Sequence, residues 1–360
     1  MNFLSLLVLY GGQSVFGIRR FYVQFGATVI GICIMLAISL IDYDAIISRF
    51  ALPMFIVSVI MLASLMVIGT DNGSGNRSWI HIPIINLDMQ PSEFVKILFI
   101  CTFSKHIDRV KSNINKLTNV LQLALHAGII VGCVLLSKDL GSALVFMAII
   151  AVMLFCAGLS LWYFAFVGAL ILILSPILWS HLAEHQQMRI IAGFNPDIDP
   201  LKWGWDAINS RNAIISGGFR GAGLFGGEAF KAVHANHSDF IFMVLCEKLG
   251  FLGAFAYIAF NATMTVRMIW LARVARKDYG ALICAGVAAL MMAQTLENIG
   301  MCLAMVPVVG ITLPFCSYGG SSILSLYICL GLIMSISTHN KKYYFETSYR
   351  KRNVTRRAGR

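Results

Sequence analysis

The sequence predicts an all-α fold: a polytopic integral membrane helical bundle of about ten transmembrane helices with one long extracytoplasmic loop. Three observations predict it. Of 360 residues, 58% are hydrophobic and only 12% charged, and the mean hydropathy is +0.77, a balance foreign to soluble domains. Apolar stretches recur along the chain at about the length that crosses ~30 Å of hydrocarbon. Lysine and arginine gather in alternate connections, as the positive-inside rule requires of a multi-pass chain.

The elements follow in order. Residues 1–12 are apolar, but FLSLLVLYGG is too short to cross as a straight helix and reads as a stub. Nine spans come next: 21–41, 51–69, 91–104, 118–136, 142–158, 161–180, 240–262, 279–303 and 323–338. Span 91–104 is short and holds Glu93 and Lys96. The whole reads as one membrane domain over 1–340, with a long outer loop at about 181–239 and a basic tail at 341–360.

With both ends inside, the inner segments hold 17 Lys/Arg and the outer ones nine, five of these in the one long loop where the rule is weak. The tail carries eight Lys/Arg against one Glu and directly follows an apolar span, so it reads as a positive-inside anchor, and no nucleic-acid partner is expected. The apolar start lacks a basic leader and a small-residue cleavage site, so no cleaved signal is expected. The nine cysteines are scattered singly and suggest neither a disulfide framework nor a zinc motif.

Several stretches are more than greasy helix. In GNRSWIHIPIINLDMQPSEFVKI (75–97) Pro91 suits a first helical position, with Gln90 or Ser92 near the cap. Glu93 and Lys96 share a helix face and can pair. Charges at membrane depth are costly unless they face a bundle interior or a wet cavity. The pair is therefore an interhelical brace or the wall of a polar cavity. In SKDLGSAL (137–144) Asp139 either caps the next helix or touches substrate. The Gly-rich stretch 188–227, with Arg189, Arg211 and Arg220, could cradle a pyrophosphate, although it holds no nucleotide fingerprint.

The stretch HANHSDFIFMVLCEKLGFLG (234–253) sets His234, His237 and Asp239 at the mouth of an apolar span. With His181 and His185 upstream the residue types suit a metal, but the order HLAEH is not HExxH and no cysteine is near, so no protein metal site is expected. Asp239 reads instead as a general base. A carboxylate at a membrane mouth is partly desolvated, which lifts its pKa toward the useful range. His237 would orient it or hold a phosphate. In ENIGMCLAMVPVVGITLPFCSYGGSS (297–322) Pro307, Gly310, Pro314, Gly319 and Gly320 forbid a regular helix and mark a re-entrant or outer loop.

Taken in sequence order, RSWI…QPSEFVKI, FNPDIDP, SGGFRGAGL, HSDFIF and PVVGITLPFCSYGGSS resemble the SEDS family (shape, elongation, division and sporulation), the RodA/FtsW-type peptidoglycan glycosyltransferases. The resemblance covers nearly the whole chain. FNPDIDP, NIGM and PVVG lean to the RodA branch, while TLPF is closer to FtsW.

The resemblance implies about ten helices with both termini cytoplasmic, in the bacterial inner membrane. It implies polymerisation of lipid II (undecaprenyl-pyrophosphate disaccharide-pentapeptide) into glycan at the outer face, for elongation and shape or for division. A class B penicillin-binding protein transpeptidase would be the partner, within an elongation or division complex. The resemblance puts the catalytic carboxylate on Asp239, as the base that deprotonates the acceptor hydroxyl. It puts cavity-lining roles on Arg77, Glu93 and Lys96, and the last outer motif on Ser317–Ser322. Ser317, Ser321 and Ser322 thus join Asp139, Arg189, Arg220 and His237 as expected substrate-binding residues. Cationic groups or a divalent ion, Mg2+ or Mn2+, would meet the leaving pyrophosphate; no organic cofactor is expected.

The chain departs from the family pattern at Val233-His234-Ala235, where Leu-Pro-Glu is usual, and at Ser137-Lys138-Asp139-Leu140-Gly141, where Gln-Pro-Asp-x-Gly is usual. Two other classes suit the composition. A flippase or transporter of lipid-linked precursor would need Glu93 and Lys96 reachable from both sides. A catalytically weak scaffold for the transpeptidase would tolerate alanine at Asp239.

Overall fold

Helices occupy every stretch that hydropathy marks. The computed structural model describes residues 1–70, 77–82, 87–181 and 184–358; the side chains of His181 and His185, and those of the tail from residue 340, lie outside the described set. The chain opens with α1 (Asn2–Gly11), one turn of α2 (Gln13–Phe16), α3 (Ile18–Leu40) and α4 (Tyr43–Ile68). An antiparallel ribbon, β1 (Ile80–Ile82) on β2 (Leu87–Met89) with Ile80 opposite Met89, leads into α5 (Pro91–Val110). Then come α6 (Leu117–Leu136), α7 (Leu140–Cys156), α8 (Leu161–His181), α9 (Glu184–Phe194), α10 (Trp205–Gly217), α11 (Ile241–Val274), α12 (Asp278–Cys302) and α13 (Gly320–Ala358).

Among the described residues six helices are long and apolar enough to cross a bilayer on their own: α3, α4, α6, α11, α12 and the first part of α13. Helices α1 and α7 and the stretch Leu161–Ile177 of α8 are apolar but shorter, and α5 carries charges that it buries. The protein is a multi-pass membrane protein.

Three elements differ from the reading of the sequence. The segment 181–239 is not mainly turns, since α9 and α10 lie within it. In α10 the small residues Ala207, Ser210, Ala213 and Gly217 form one buried stripe, which lets the helix lie close on α11 despite its polar composition. The span expected at 240–262 is a 34-residue helix with a break at Gly250, whose φ of 66° and ψ of −164° are non-helical. Only glycine adopts such a backbone cheaply. A Cβ there would also fall 2.3 Å from the Gly221 nitrogen. The basic tail, finally, has a helical backbone continuous with α13.

The break in α11 is fully accounted for by hydrogen bonds. Ala222 and Gly223 donate to the carbonyls of Glu247 and Lys248 (2.8 and 3.1 Å), while Phe251 and Leu252 donate to Gly218 and Phe219 (2.9 and 3.3 Å). Backbone groups freed at membrane depth must be satisfied within the protein, and the glycine-rich stretch supplies the partners. Two buried charges finish the joint. Glu247 accepts from the amides of Ala229 and Phe230 (both 2.8 Å). Lys248 donates to the carbonyls of Gly11, Leu224 and Gly226 (3.3, 2.9 and 3.2 Å). The stub α1 is thereby built into the bundle, with Val8 and Leu9 buried.

Helices α3 and α13 cross closely because each offers a glycine. A Cβ at Gly31 would strike the Tyr327 ring, and one at Gly331 would strike Met35 and Ile38. In lipid, where apolar burial offers little drive between helices, such backbone proximity is a main source of packing energy. On the lipid side, Leu36, Leu40, Ile56, Ile60, Phe166 and Leu172 are exposed.

Candidate active site

Asp239 ends a turn in which the amides of Ser238, Asp239 and Phe240 all donate to the Ala235 carbonyl (3.1, 3.0 and 3.3 Å). Ala235 holds a left-handed φ of 48° to make this possible. Three further bonds clamp the turn to the loop between α12 and α13. The Tyr318 amide donates to His237 O (3.0 Å). Ser317 Oγ donates to Ser238 O (2.5 Å) and accepts from the Leu313 amide (2.7 Å). Asn298 Nδ2 donates both to Asp239 O (2.7 Å) and to Ile311 O (2.6 Å).

The carboxylate itself faces Gly310. A Cβ on that residue would sit 3.3 Å from Asp239 Oδ2, and Gly310 has φ of 70°, so both space and conformation call for glycine there. Asp239 is partly exposed at the mouth, while the protein around it excludes most water. Burial pushes its carboxyl up to about 6; hydrogen bonding from Ser238 opposes the rise and the neighbouring Asp139 adds to it. It is ionised at neutral pH yet basic enough to take a proton.

His237 stacks between Phe16 and Tyr318, with ring centroids 6.0 and 5.6 Å away. Burial, with help from the Arg20 charge, pulls its pKa down to about 4. It is a neutral imidazole at pH 7 and brings no positive charge to a phosphate. The cation on this wall is Arg20, which donates to Phe16 O and lies 6.0 Å from the Tyr318 ring centroid.

Asp139 caps α7 through the Ser142 amide (3.0 Å) and also accepts from Ser142 Oγ and Gln90 Nε2 (both 2.9 Å). The capping bond is present, and Gln90 spends its side chain on Asp139 rather than on its own helix. Beside it Gly141 presses on Val309 O and Ile311, so the start of α7 buttresses the Gly310 turn from behind. Pro91 stands at the first position of α5, as its place in the sequence suggests.

Glu93 and Lys96 pair at 2.7 Å and are buried, 4% and 0% exposed. Glu93 Oε2 accepts from Ser325 Oγ (3.3 Å). Ser322 Oγ meets Thr312 Oγ1 (3.0 Å), and Ser321 Oγ accepts from the Gln90 amide (3.4 Å). Asp239, Asp139, Glu93, Lys96, Ser317, Ser321 and Ser322 thus form one polar wall, joined through the 309–322 loop.

The remaining expected residues stand outside this wall. Arg77, Arg189 and Arg220 are exposed, and no bond from them to the wall is recorded among the described residues. The glycine-rich stretch around Arg220 is engaged with the break in α11. His234 pairs with Asp206 (2.9 Å) and does not approach His237. Among the described residues no three His, Cys, Asp or Glu side chains stand together as metal ligands.

Reading the sequence missed two classes of residue. One is Asn298, in the NIGM stretch: an amide inside an apolar helix is the signal that could have found it. The other is the brace from the first helices. Ser5 Oγ donates to Cys316 O (2.5 Å), and Gln24 donates to Ser317 O (2.9 Å) while accepting from the Gly319 amide (3.2 Å).

A family model described as cell cycle protein, covering FtsW, RodA and SpoVE, matches residues 3–342. The chain belongs to this FtsW/RodA/SpoVE family. It is 32% identical over 344 residues to a probable peptidoglycan glycosyltransferase FtsW of Trichlorobacter lovleyi, spanning 92% of this chain and 89% of that one. It is 30% identical over 344 residues to the peptidoglycan glycosyltransferase MrdB of Escherichia coli K12, spanning 94% and 90%. Among solved structures, a chain from a peptidoglycan synthase complex that coordinates polymerization and crosslinking superposes with a TM-score of 0.79 at 27% identity, covering 94% of this chain and 96% of that one. The rod shape determining protein RodA of Thermus thermophilus shares the fold, with a TM-score of 0.69 at 24% identity over 93% and 92% of the two chains.

Proposed function

We propose that the protein is a peptidoglycan glycosyltransferase that polymerises lipid II at the outer face of the bacterial cytoplasmic membrane. Asp239 carries the reading: a partly open carboxylate with a raised pKa, fixed by three clamps at the mouth of a membrane helix. It takes the proton of the acceptor sugar hydroxyl as that oxygen bonds to the anomeric carbon of the donor. The bond from that carbon to the pyrophosphate oxygen breaks, and undecaprenyl pyrophosphate leaves with the electron pair. Arg20, on the wall beside His237, is the cation that would meet the departing charge. Arg77, Arg189 and Arg220 act further out, on approaching lipid II. A divalent ion, Mg2+ or Mn2+, would arrive with the pyrophosphate rather than reside in the protein.

Family membership and the names of the relatives support this reading. So does the physics of the site, since the hydroxyl is water-borne and the leaving group is anchored in lipid. The Lys/Arg asymmetry supports a topology with both termini in the cytoplasm and 181–239 outside. The structural relative from a synthase complex supports a transpeptidase partner, a class B penicillin-binding protein.

The test is polymerisation of lipid II by purified protein, with and without the cognate transpeptidase. Asp239→Asn is expected to lose on the order of 10²-fold or more in rate, the usual worth of a general base. A wild type that makes glycan no faster than Asp239→Asn, even with its partner, would overturn the reading in favour of a scaffold.

A further inference from the structure

Glu297 is a carboxylate inside the bundle that the mechanism above leaves unused. It stands on α12, directly before Asn298. Along its face of the helix Leu290, Ala293 and Met301 are buried, whereas Met292 and Leu296 mark the lipid side. At Gly286 the same face lies against Ile100 of α5 and Met153 of α7. Glu297 therefore lies on the bundle-facing side of α12, the helix that packs on α5 and α7.

The polar groups here are short of partners. Glu297 Oε2 is buried and meets no hydrogen-bond donor among the described residues. Neither does Oε1 of Gln294, three residues earlier on the helix and only 1% exposed. Lys96 is the buried cation on α5, a helix against which α12 packs. Its ammonium has three donors, and the bond recorded for it goes to Glu93. Buried polar atoms are ordinarily satisfied, so orphaned acceptors beside an underused donor point to a ligand. Two carboxylates around one ammonium repel an anion. A group offering O–H or N–H donors to Glu297 and Gln294, and an oxygen to Lys96, matches all three.

We infer that Glu297, with Gln294 and Lys96, forms a subsite for an uncharged hydroxyl- or amide-bearing part of the lipid-linked sugar, and that Glu297 is a specificity-determining residue of this chain. The inference rests on the glycosyltransferase reading. It places the pyrophosphate away from Lys96.

Glu297→Val and Glu297→Gln decide it. In the polymerisation assay Glu297→Val is expected to raise KM for lipid II about tenfold, the worth of a hydrogen bond to a charged group, with kcat within about twofold; Glu297→Gln, which keeps an acceptor, falls between. The melting temperature in detergent should hold or rise, because an unpartnered buried carboxylate is a cost to the fold. A fall in melting temperature alongside lost activity would assign Glu297 a structural role and overturn the inference, as would an unchanged KM.

Binding to the Asp239→Asn background separates the two readings. There Glu297→Val should weaken lipid II about tenfold and leave undecaprenyl pyrophosphate unchanged. A wild type that makes no glycan sinks the transferase reading, whereas equal weakening of both ligands, or of neither, sinks the subsite.

Discussion

Replacing Asn298 with alanine removes two hydrogen bonds at once, 2.7 Å to Asp239 O and 2.6 Å to Ile311 O, from a residue that is 0% exposed. Both carbonyls lose a buried donor, at about 1–3 kcal/mol each, so the variant should be about 2–6 kcal/mol less stable. The larger effect is on the site. Asn298 bridges the Asp239 turn and the Gly310–Ile311 turn and so sets their separation. A shift of about 1 Å in a catalytic group costs on the order of 10²-fold in rate. The expected result is therefore a fall in kcat of that order, beyond anything explained by unfolded protein. Glycan synthesis is measured at a temperature where the variant is still folded by its own melting curve. Asn298→Ser, which keeps one donor at shorter reach, should recover part of the loss. If Asn298→Ala melts early but polymerises at the wild-type rate once folded, Asp239 does not depend on this clamp and the positioning argument fails.

The pH response separates two neighbouring groups. Activity should fall as pH drops through about 6, where Asp239 takes up its proton. Because burial raises that pKa from 3.8, Asp239 favours the folded state as pH falls from 6 toward 3.8. His237 acts oppositely: its pKa is lowered from 6.5 to about 4, so acidification across that interval costs stability. Asp239→Asn should then lose stability more steeply than wild type between pH 6 and pH 4, and equal slopes in thermal melts would contradict this. Lys248→Met leaves three carbonyls without their cation; a loss of about 3 kcal/mol is expected, with faster proteolysis between α10 and α11, and an unchanged melting curve would show the clamp to be idle. Chelation by EDTA should leave the melting temperature of the substrate-free protein unchanged, because no metal-ligand group forms among the described residues. A drop that Mg2+ or Mn2+ restores would reveal a resident ion.

Most of the bundle was legible because lipid makes a strong filter. Each apolar stretch had to become a helix to satisfy its own backbone, and each did. Pattern failed where tertiary contacts override it. The polar helix α10 exists because its stripe of small residues docks on α11, a match between two segments that neither reveals alone. The break at Gly250 is equally non-local: EKLGFLG reads as continuous helix until the amides of Ala222 and Gly223 are known to wait beside it. That docking also changes the sense of the glycine-rich stretch. The stretch that reads as a possible cradle for pyrophosphate also repairs a helix.

The candidate site was legible to the extent that its groups carry unusual chemistry for their surroundings. A carboxylate at a membrane mouth and a charge pair inside a span are visible as exceptions to hydropathy, and Asp239, Glu93 and Lys96 all reach the polar wall. Ser5, Gln24 and Asn298 were invisible for the opposite reason. Single uncharged polar residues in apolar helices are common, and only the partner distinguishes a brace from a bystander. Here the partners are backbone carbonyls and amides of the 311–319 loop, which carry no sequence signature at all. The site is in effect a loop without regular structure, held at membrane depth by side chains from α1, α3 and α12. Such a loop can tolerate its depth only if those bonds persist. Loosening the clamps should therefore damage catalysis and membrane stability together, whereas altering Glu297 should damage function alone.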